Sequence, residues 1–132
     1  ALNRIGRHVS CYVTTRVDSN RSPWLQFTNP GDLHRIPVSH GEGRFVASEQ
    51  QIIDLAKGGQ IATRYVDLNG QPSYRTAFNP SGSLAAVEGI ISPDGRVFGK
   101  MGHSERQGRY LAKNIPGEKD QRLFAGGVAY FR

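Results

Sequence analysis

Two short triplets carry the side chains best able to do chemistry. The first is His103-Ser104-Glu105, inside Gly99-Lys100-Met101-Gly102-His103-Ser104-Glu105-Arg106, where an apolar strand runs out. A histidine acting as a general base needs a carboxylate to fix its tautomer and to stabilise its protonated form. A strand end suits such a pair, because the strand holds the backbone still while the loop exposes the side chains. Glycines at 99 and 102 allow a ligand to approach the backbone closely. Two members of a nucleophile–histidine–acid triad are thus present, and no nucleophile stands beside them. The second triplet, His40-Gly41-Glu42-Gly43-Arg44-Phe45, also lies where a strand ends, and its glycines offer backbone amides to a substrate or form a bulged turn. His40, Glu42, His103 and Glu105 together could instead be metal ligands, since zinc and non-haem iron accept mixed sets. Neither triplet has the i, i+4 spacing that presents two ligands from one helical face.

The only thiol is Cys11. A nucleophilic cysteine sits at a helix N-terminus or beside a base. Cys11 falls mid-strand among Val9 and Val13, which reads as core. Glu88-Gly89 has no chemistry that its neighbours in sequence reveal.

The elements that must hold these residues follow from periodicity. From Arg7 to Val17, Val9, Cys11, Val13 and Val17 alternate with His8, Ser10, Tyr12, Thr14 and Arg16, the pattern of a half-buried strand. Asp18–Pro23 is a loop, and Asn29–Asp32 a turn feeding a strand from Leu33 to about Ser39. Ser48 begins a helix, with Gln51 placed to complete a capping box, Ile52, Ile53, Leu55 and Ala56 as its apolar face, and Gly58-Gly59 as its stop. A strand from Gln60 to Val66, the Asn69-Gly70 turn and the Asn79–Ser83 loop come next. Ile90–Ser92 and Arg96–Met101 form a hairpin through Pro93-Asp94-Gly95. Gln121–Phe131 reads as a helix weakened by Gly126-Gly127. The pattern alone fits either a mixed α/β or a mainly β domain.

The 132 residues, 37% hydrophobic, suffice for one domain, 1–132, and not for two. No apolar run is long enough to span a bilayer, and Ala1–Arg7 lacks the features of a secretory signal. A single cysteine fits a reducing compartment, so the chain reads as cytoplasmic. The formal net charge of +6 is scattered over Arg4, Arg7, Arg16, Arg21, Arg35, Arg44, Lys57 and Arg64 without a dense basic run. The aromatics Trp24, Phe45, Tyr65, Tyr74, Phe78 and Tyr110 are dispersed and do not form a base-stacking platform. A basic β-rich nucleic-acid-binding module and a small metal-dependent enzyme using His40, Glu42, His103 and Glu105 are the readings from other classes.

Four segments taken in order, Ser39-His40-Gly41-Glu42-Gly43-Arg44-Phe45, Gln60-Ile61-Ala62-Thr63-Arg64-Tyr65, Asn79-Pro80-Ser81-Gly82-Ser83 and Gly99–Arg106, resemble the class I glutamine amidotransferase domain of phosphoribosylformylglycinamidine synthase, a purine-biosynthesis ligase. The resemblance covers nearly the whole chain. It departs at Ser104, where many relatives carry proline. It implies an α/β fold, specifically the C-terminal part of an open three-layer amidotransferase sheet, strand-rich with few helices. It implies that a cysteine thiolate attacks the glutamine amide, that His103 is the triad histidine and Glu105 the triad acid, and that His40, Gly41, Glu42 and Gly43 lie beside the glutamine pocket. No cofactor or metal is expected in this chain; ATP and Mg²⁺ belong to the synthetase part of the parent enzyme. The partners implied are glutamine as substrate, a synthetase domain or subunit, and the N-terminal part of the amidotransferase domain, which would bear the nucleophile; no nucleic acid and no membrane are expected. A chain lacking that part is expected to be inactive alone, and either poorly stable or a homo-oligomer that buries an exposed sheet edge, the Arg7–Val17 strand or a neighbouring one, against a second copy.

Overall fold

Alternating burial along Val9–Val17, with Val9, Val13, Thr15 and Val17 turned inward, makes this segment the first strand, β1. A computed structural model describes residues 1–132. The other strands are β2 (Leu33–His40), β3 (Ile61–Tyr65), β4 (Val87–Ile91) and β5 (Phe98–Lys100), and the helices are α1 (Glu49–Lys57) and α2 (Leu123–Phe131). They form one sheet in the order β2-β1-β3-β4-β5, with every neighbouring pair antiparallel.

The sheet curls on itself. Just past the end of β5, Gly102 bridges to Val38 of β2, so the two outer strands meet. β1 is therefore an interior strand, hydrogen-bonded to β2 from Val9 to Arg16 and to β3 from Thr15 to Val17. The expectation that Arg7–Val17 is the sheet's edge strand is corrected: β2 pairs along it from Val9 to Arg16, and β3 takes the other side of its last residues, Thr15–Val17.

Two apolar clusters fill the molecule. Val9, Val13, Ile36, Val38, Tyr65 and Ala86 form one, and Leu25, Ala62, Ile91 and Leu123, with Phe98 against them, form the other. β3 contributes to both, and all its residues but Arg64 are buried. Cys11 belongs to neither cluster and is exposed, which corrects its reading as core. Thr15 takes a buried place on β1, and neither helix packs extensively on this strand to cover the thiol.

The capping box of α1 forms as its sequence requires: Ser48 Oγ accepts from the Gln51 amide at 3.2 Å, and Gln51 Oε1 accepts from the Ser48 amide at 2.8 Å. Its expected apolar face is not buried against the sheet, and no residue of α1 is buried. α2 docks instead on a short 3₁₀ turn, Pro23–Leu25. Gly126 and Gly127 lie so close to the Trp24 backbone and ring that any side chain there would collide with them. The two glycines that weaken this helix locally are what allow it to pack.

Candidate functional site

The closure between β5 and β2 sets the position of His103. The amide of His103 donates to Pro37 O on β2 at 2.9 Å, and the Gly102 amide donates to Glu88 Oε1 on β4 at 2.6 Å. A Cβ on Gly102 would overlap Ile36 Cδ1 and stand 2.9 Å from Glu88 Oε1, so only glycine lets the chain cross here. Gly102→Ala is expected to destabilise the protein by about 1–3 kcal/mol, the usual cost of overpacking. Denaturant unfolding measures it, and an unchanged midpoint would contradict this reading of the crossing.

From that anchor the imidazole projects outward. His103 Nδ1 and Glu105 Oε1 are 2.7 Å apart, with the two side chains 30% and 54% exposed. The carboxylate acts as acceptor, which places a proton on Nδ1, and Nε2 makes no hydrogen bond within the chain. The Glu105 carboxyl is held below its ordinary value. Slight burial raises it, but its own backbone hydrogen bond, the His103 hydrogen bond and the charges of His103 and Arg106 outweigh that. Glu105 is thus ionised at neutral pH, as an orienting carboxylate must be.

The other triplet is organised by a residue that sequence reading passes over. Asn3 is buried, and its Nδ2 donates to His40 O at 2.8 Å and to Arg7 O at 3.0 Å. Its Oδ1 accepts from the Gly43 amide at 3.1 Å and lies 3.1 Å from His40 Nδ1. The Asn3 amide also donates to Gly41 O at 2.9 Å. Gly43 sits against the face of the His40 ring, where a Cβ would clash. Burial holds the His40 imidazole below the ordinary histidine value; the charges of His8 and His103 add to this, and its own backbone hydrogen bond and Glu88 oppose it. His40 is therefore neutral at pH 7, with Nδ1–H on Asn3 and a buried Nε2 left unpaired.

Glu42 is exposed and lines a cavity of about 520 Å³ with Arg44, Phe45, Glu88, Lys100 and Met101. The structure thus joins His103 to Glu105, and His40 to Gly43, in adjacent loops. It does not gather His40, Glu42, His103 and Glu105 into a metal-ligand set: no group of three or more such side chains converges anywhere in the chain.

Cys11 is also outside the site. It pairs with Val38, and Gly102 bridges Val38 from the opposite side, so the whole of β2 lies between Cys11 and the histidine loop. Partial burial raises the thiol above its ordinary value, against the lowering effect of Arg35, which makes it a poor nucleophile.

Glu88 is the other residue whose sequence neighbours gave no sign of its place. Its side chain is fully buried, and its role emerges only when β4 and β5 pair. A buried acidic residue in an otherwise apolar strand was the available signal, because burial of a carboxylate demands partners.

Three comparisons bear on this geometry. Residues 1–131 match the family model for the CobB/CobQ-like glutamine amidotransferase domain. The subunit PurQ of phosphoribosylformylglycinamidine synthase from Thermomicrobium roseum is 40% identical over 95 residues, covering 72% of this chain and 39% of that protein. The PurQ subunit from Chlorobaculum tepidum is 36% identical over 124 residues, covering 94% of this chain and 51% of that protein. Among solved structures, that of PurLQS from Thermotoga maritima superposes with a TM-score of 0.71 at 27% identity, covering 99% of this chain and 51% of the matched one. The chain therefore spans about half the length, or less, of these relatives. Five strands and two short helices make it the strand-rich, helix-poor part of that α/β fold.

Proposed function

The chain belongs to the CobB/CobQ-like glutamine amidotransferase domain family, and from that premise we propose that it supplies the histidine–glutamate part of a glutaminase site whose thiol lies outside these 132 residues. The observation that carries this reading is the 2.7 Å contact between His103 Nδ1 and Glu105 with Nε2 left free. In the reaction proposed, Nε2 takes the proton from a cysteine thiol as sulfur attacks the side-chain amide carbon of glutamine. The same proton then goes to the departing nitrogen as the carbon–nitrogen bond breaks and ammonia leaves. Water, deprotonated by Nε2, attacks the thioester carbon and releases glutamate, and the thiol regains its proton. Glu105 keeps the imidazole in the required tautomer and stabilises its protonated state. The loop His40, Gly41, Glu42 and Gly43 lies beside the glutamine in this reading.

The names of the relatives support a place for this activity in phosphoribosylformylglycinamidine synthase. There the ammonia is consumed by a synthetase partner, which uses ATP and Mg²⁺ to convert formylglycinamide ribonucleotide to the amidine. The matched PurLQS structure supports a synthetase subunit as that partner. No helix here is long and apolar enough to cross a membrane, and the proposed setting is the cytoplasm.

Glu105→Gln tests the orienting role. In the full-length protein it is expected to lower the kcat of glutamine hydrolysis about 10- to 100-fold with little change in KM. The amide can still reach the ring but neither fixes the Nδ1–H tautomer nor balances the imidazolium charge. Steady-state ammonia release measures this, and turnover equal to the parent's would remove Glu105 from the mechanism.

A further inference from the structure

Behind the exposed His103–Glu105 couple lies a buried polar chain that the glutaminase reading does not use. Glu88 Oε1 accepts from the Gly102 amide at 2.6 Å, and Glu88 Oε2 accepts from Thr63 Oγ1 at 2.5 Å. Lys100 Nζ stands 3.7 Å from Glu88 Oε1, with the two side chains 11% and 0% exposed. The same Nζ donates to Ser104 Oγ at 2.5 Å and to Gln121 Oε1 at 2.8 Å, and Ser104 Oγ also donates to Gln121 Oε1. Burial pulls the Lys100 ammonium below its ordinary value, and Glu88 works against that.

A buried ion pair is a poor way to stabilise a fold, because desolvation consumes most of the Coulombic gain and apolar residues of similar volume do as well or better. What such a pair can supply is geometry. Here the carboxylate grips the backbone one residue before His103, and the ammonium grips the side chain one residue after it. Ser104 offers a hydroxyl that Lys100 holds within the loop.

We infer that Glu88 and Lys100 are positioning residues, clamping Gly102 and Ser104 so that His103 keeps its hydrogen bond to Glu105. The inference rests on the glutaminase reading above for its purpose, and on the contacts just described for its geometry. Neither residue touches the reacting atoms.

The test uses the full-length protein with Glu88→Gln, Lys100→Met and the two combined. Each single variant strands a buried charge and is expected to lower the melting temperature, whereas the double variant removes both charges and recovers most of the loss. The tautomer of His103, read from its imidazole ¹⁵N shifts, is expected to be Nδ1–H in the parent and mixed in the double variant. The kcat for glutamine is expected to fall about 10- to 100-fold, with KM within about twofold, as loss of near-attack geometry predicts. Recovery of the parental tautomer and kcat together with stability would make the pair merely structural and overturn the inference. If the double variant does not fold, Ser104→Ala removes only the hydroxyl that Lys100 grips. A mixed His103 tautomer in that variant supports the clamp, and an unchanged one overturns it. A mixed tautomer without loss of glutamine turnover would sustain the clamp and count against the glutaminase reading, so the two failures are distinguishable.

Discussion

Replacing His103 by alanine in the full-length protein should lower glutamine-dependent synthesis by about 10³-fold or more, while synthesis from added ammonia stays within about twofold of the parent. The size follows from the dual duty proposed for Nε2, to remove the thiol proton and later deliver it to the leaving nitrogen; general acid–base groups alone are worth about 10²–10⁴. The selectivity follows from position. The His103 side chain hydrogen-bonds only to Glu105, and its ring is part-exposed at the rim of the sheet closure. Its removal leaves the apolar clusters untouched. The paired assays are therefore diagnostic. Equal loss of both activities would mean that His103 serves the fold or the synthetase, and no loss of either would remove it from the mechanism.

The second large effect is expected at Asn3. Asn3→Ala removes two donors and an acceptor from a buried position, leaving the Gly43 amide and the His40 carbonyl without partners. Each unsatisfied buried group costs about 1–3 kcal/mol, so a loss of about 2–4 kcal/mol in unfolding free energy is expected. Since the same contacts shape the His40–Gly43 loop, KM for glutamine should rise while kcat changes less. Calorimetry with steady-state kinetics separates the two consequences. A stability loss below about 1 kcal/mol with KM unchanged would show that the loop keeps its shape without Asn3.

These two residues also show what was legible in the sequence. His103 and Glu105 are two positions apart, and their pairing needs only a loop, so residue type and spacing suffice to find them. The capping box of α1 is equally local, its two hydrogen bonds lying within four residues. Asn3 could not be found in this way, because its partners lie 37 and 40 positions along the chain and become neighbours only when β1 and β2 pair. Glu88 lies 25 positions from Thr63 and 14 from Gly102, and it looked unremarkable until the hairpin and the sheet closure brought them together.

The misplacements have the same origin. Alternation puts Cys11 with Val9 and Val13, but burial depends on what covers a face, and nothing in the strand itself encodes that no helix lies over this thiol. The apolar residues of α1 similarly form a stripe without a partner in this chain. Gly126 and Gly127 argue against a helix on local propensity alone, yet the contact with Trp24, 103 residues away from Gly127, requires them. The strand Arg7–Val17 was correctly recognised as a strand. Its interior place between β2 and β3 is not legible in the strand itself, because pairing order is a property of the whole chain.

The central claim is that this chain gives His103 and Glu105 to a site whose thiol lies elsewhere. It is tested most directly by alkylating the full-length protein with a glutamine analogue that bears a diazoketone in place of the side-chain amide, then mapping the labelled peptide. The account predicts a single modified cysteine outside residues 1–132, protection by glutamine, no label on Cys11, and labelling slowed at least about tenfold by His103→Ala. Label on Cys11, or labelling at an unchanged rate without the histidine, would contradict it.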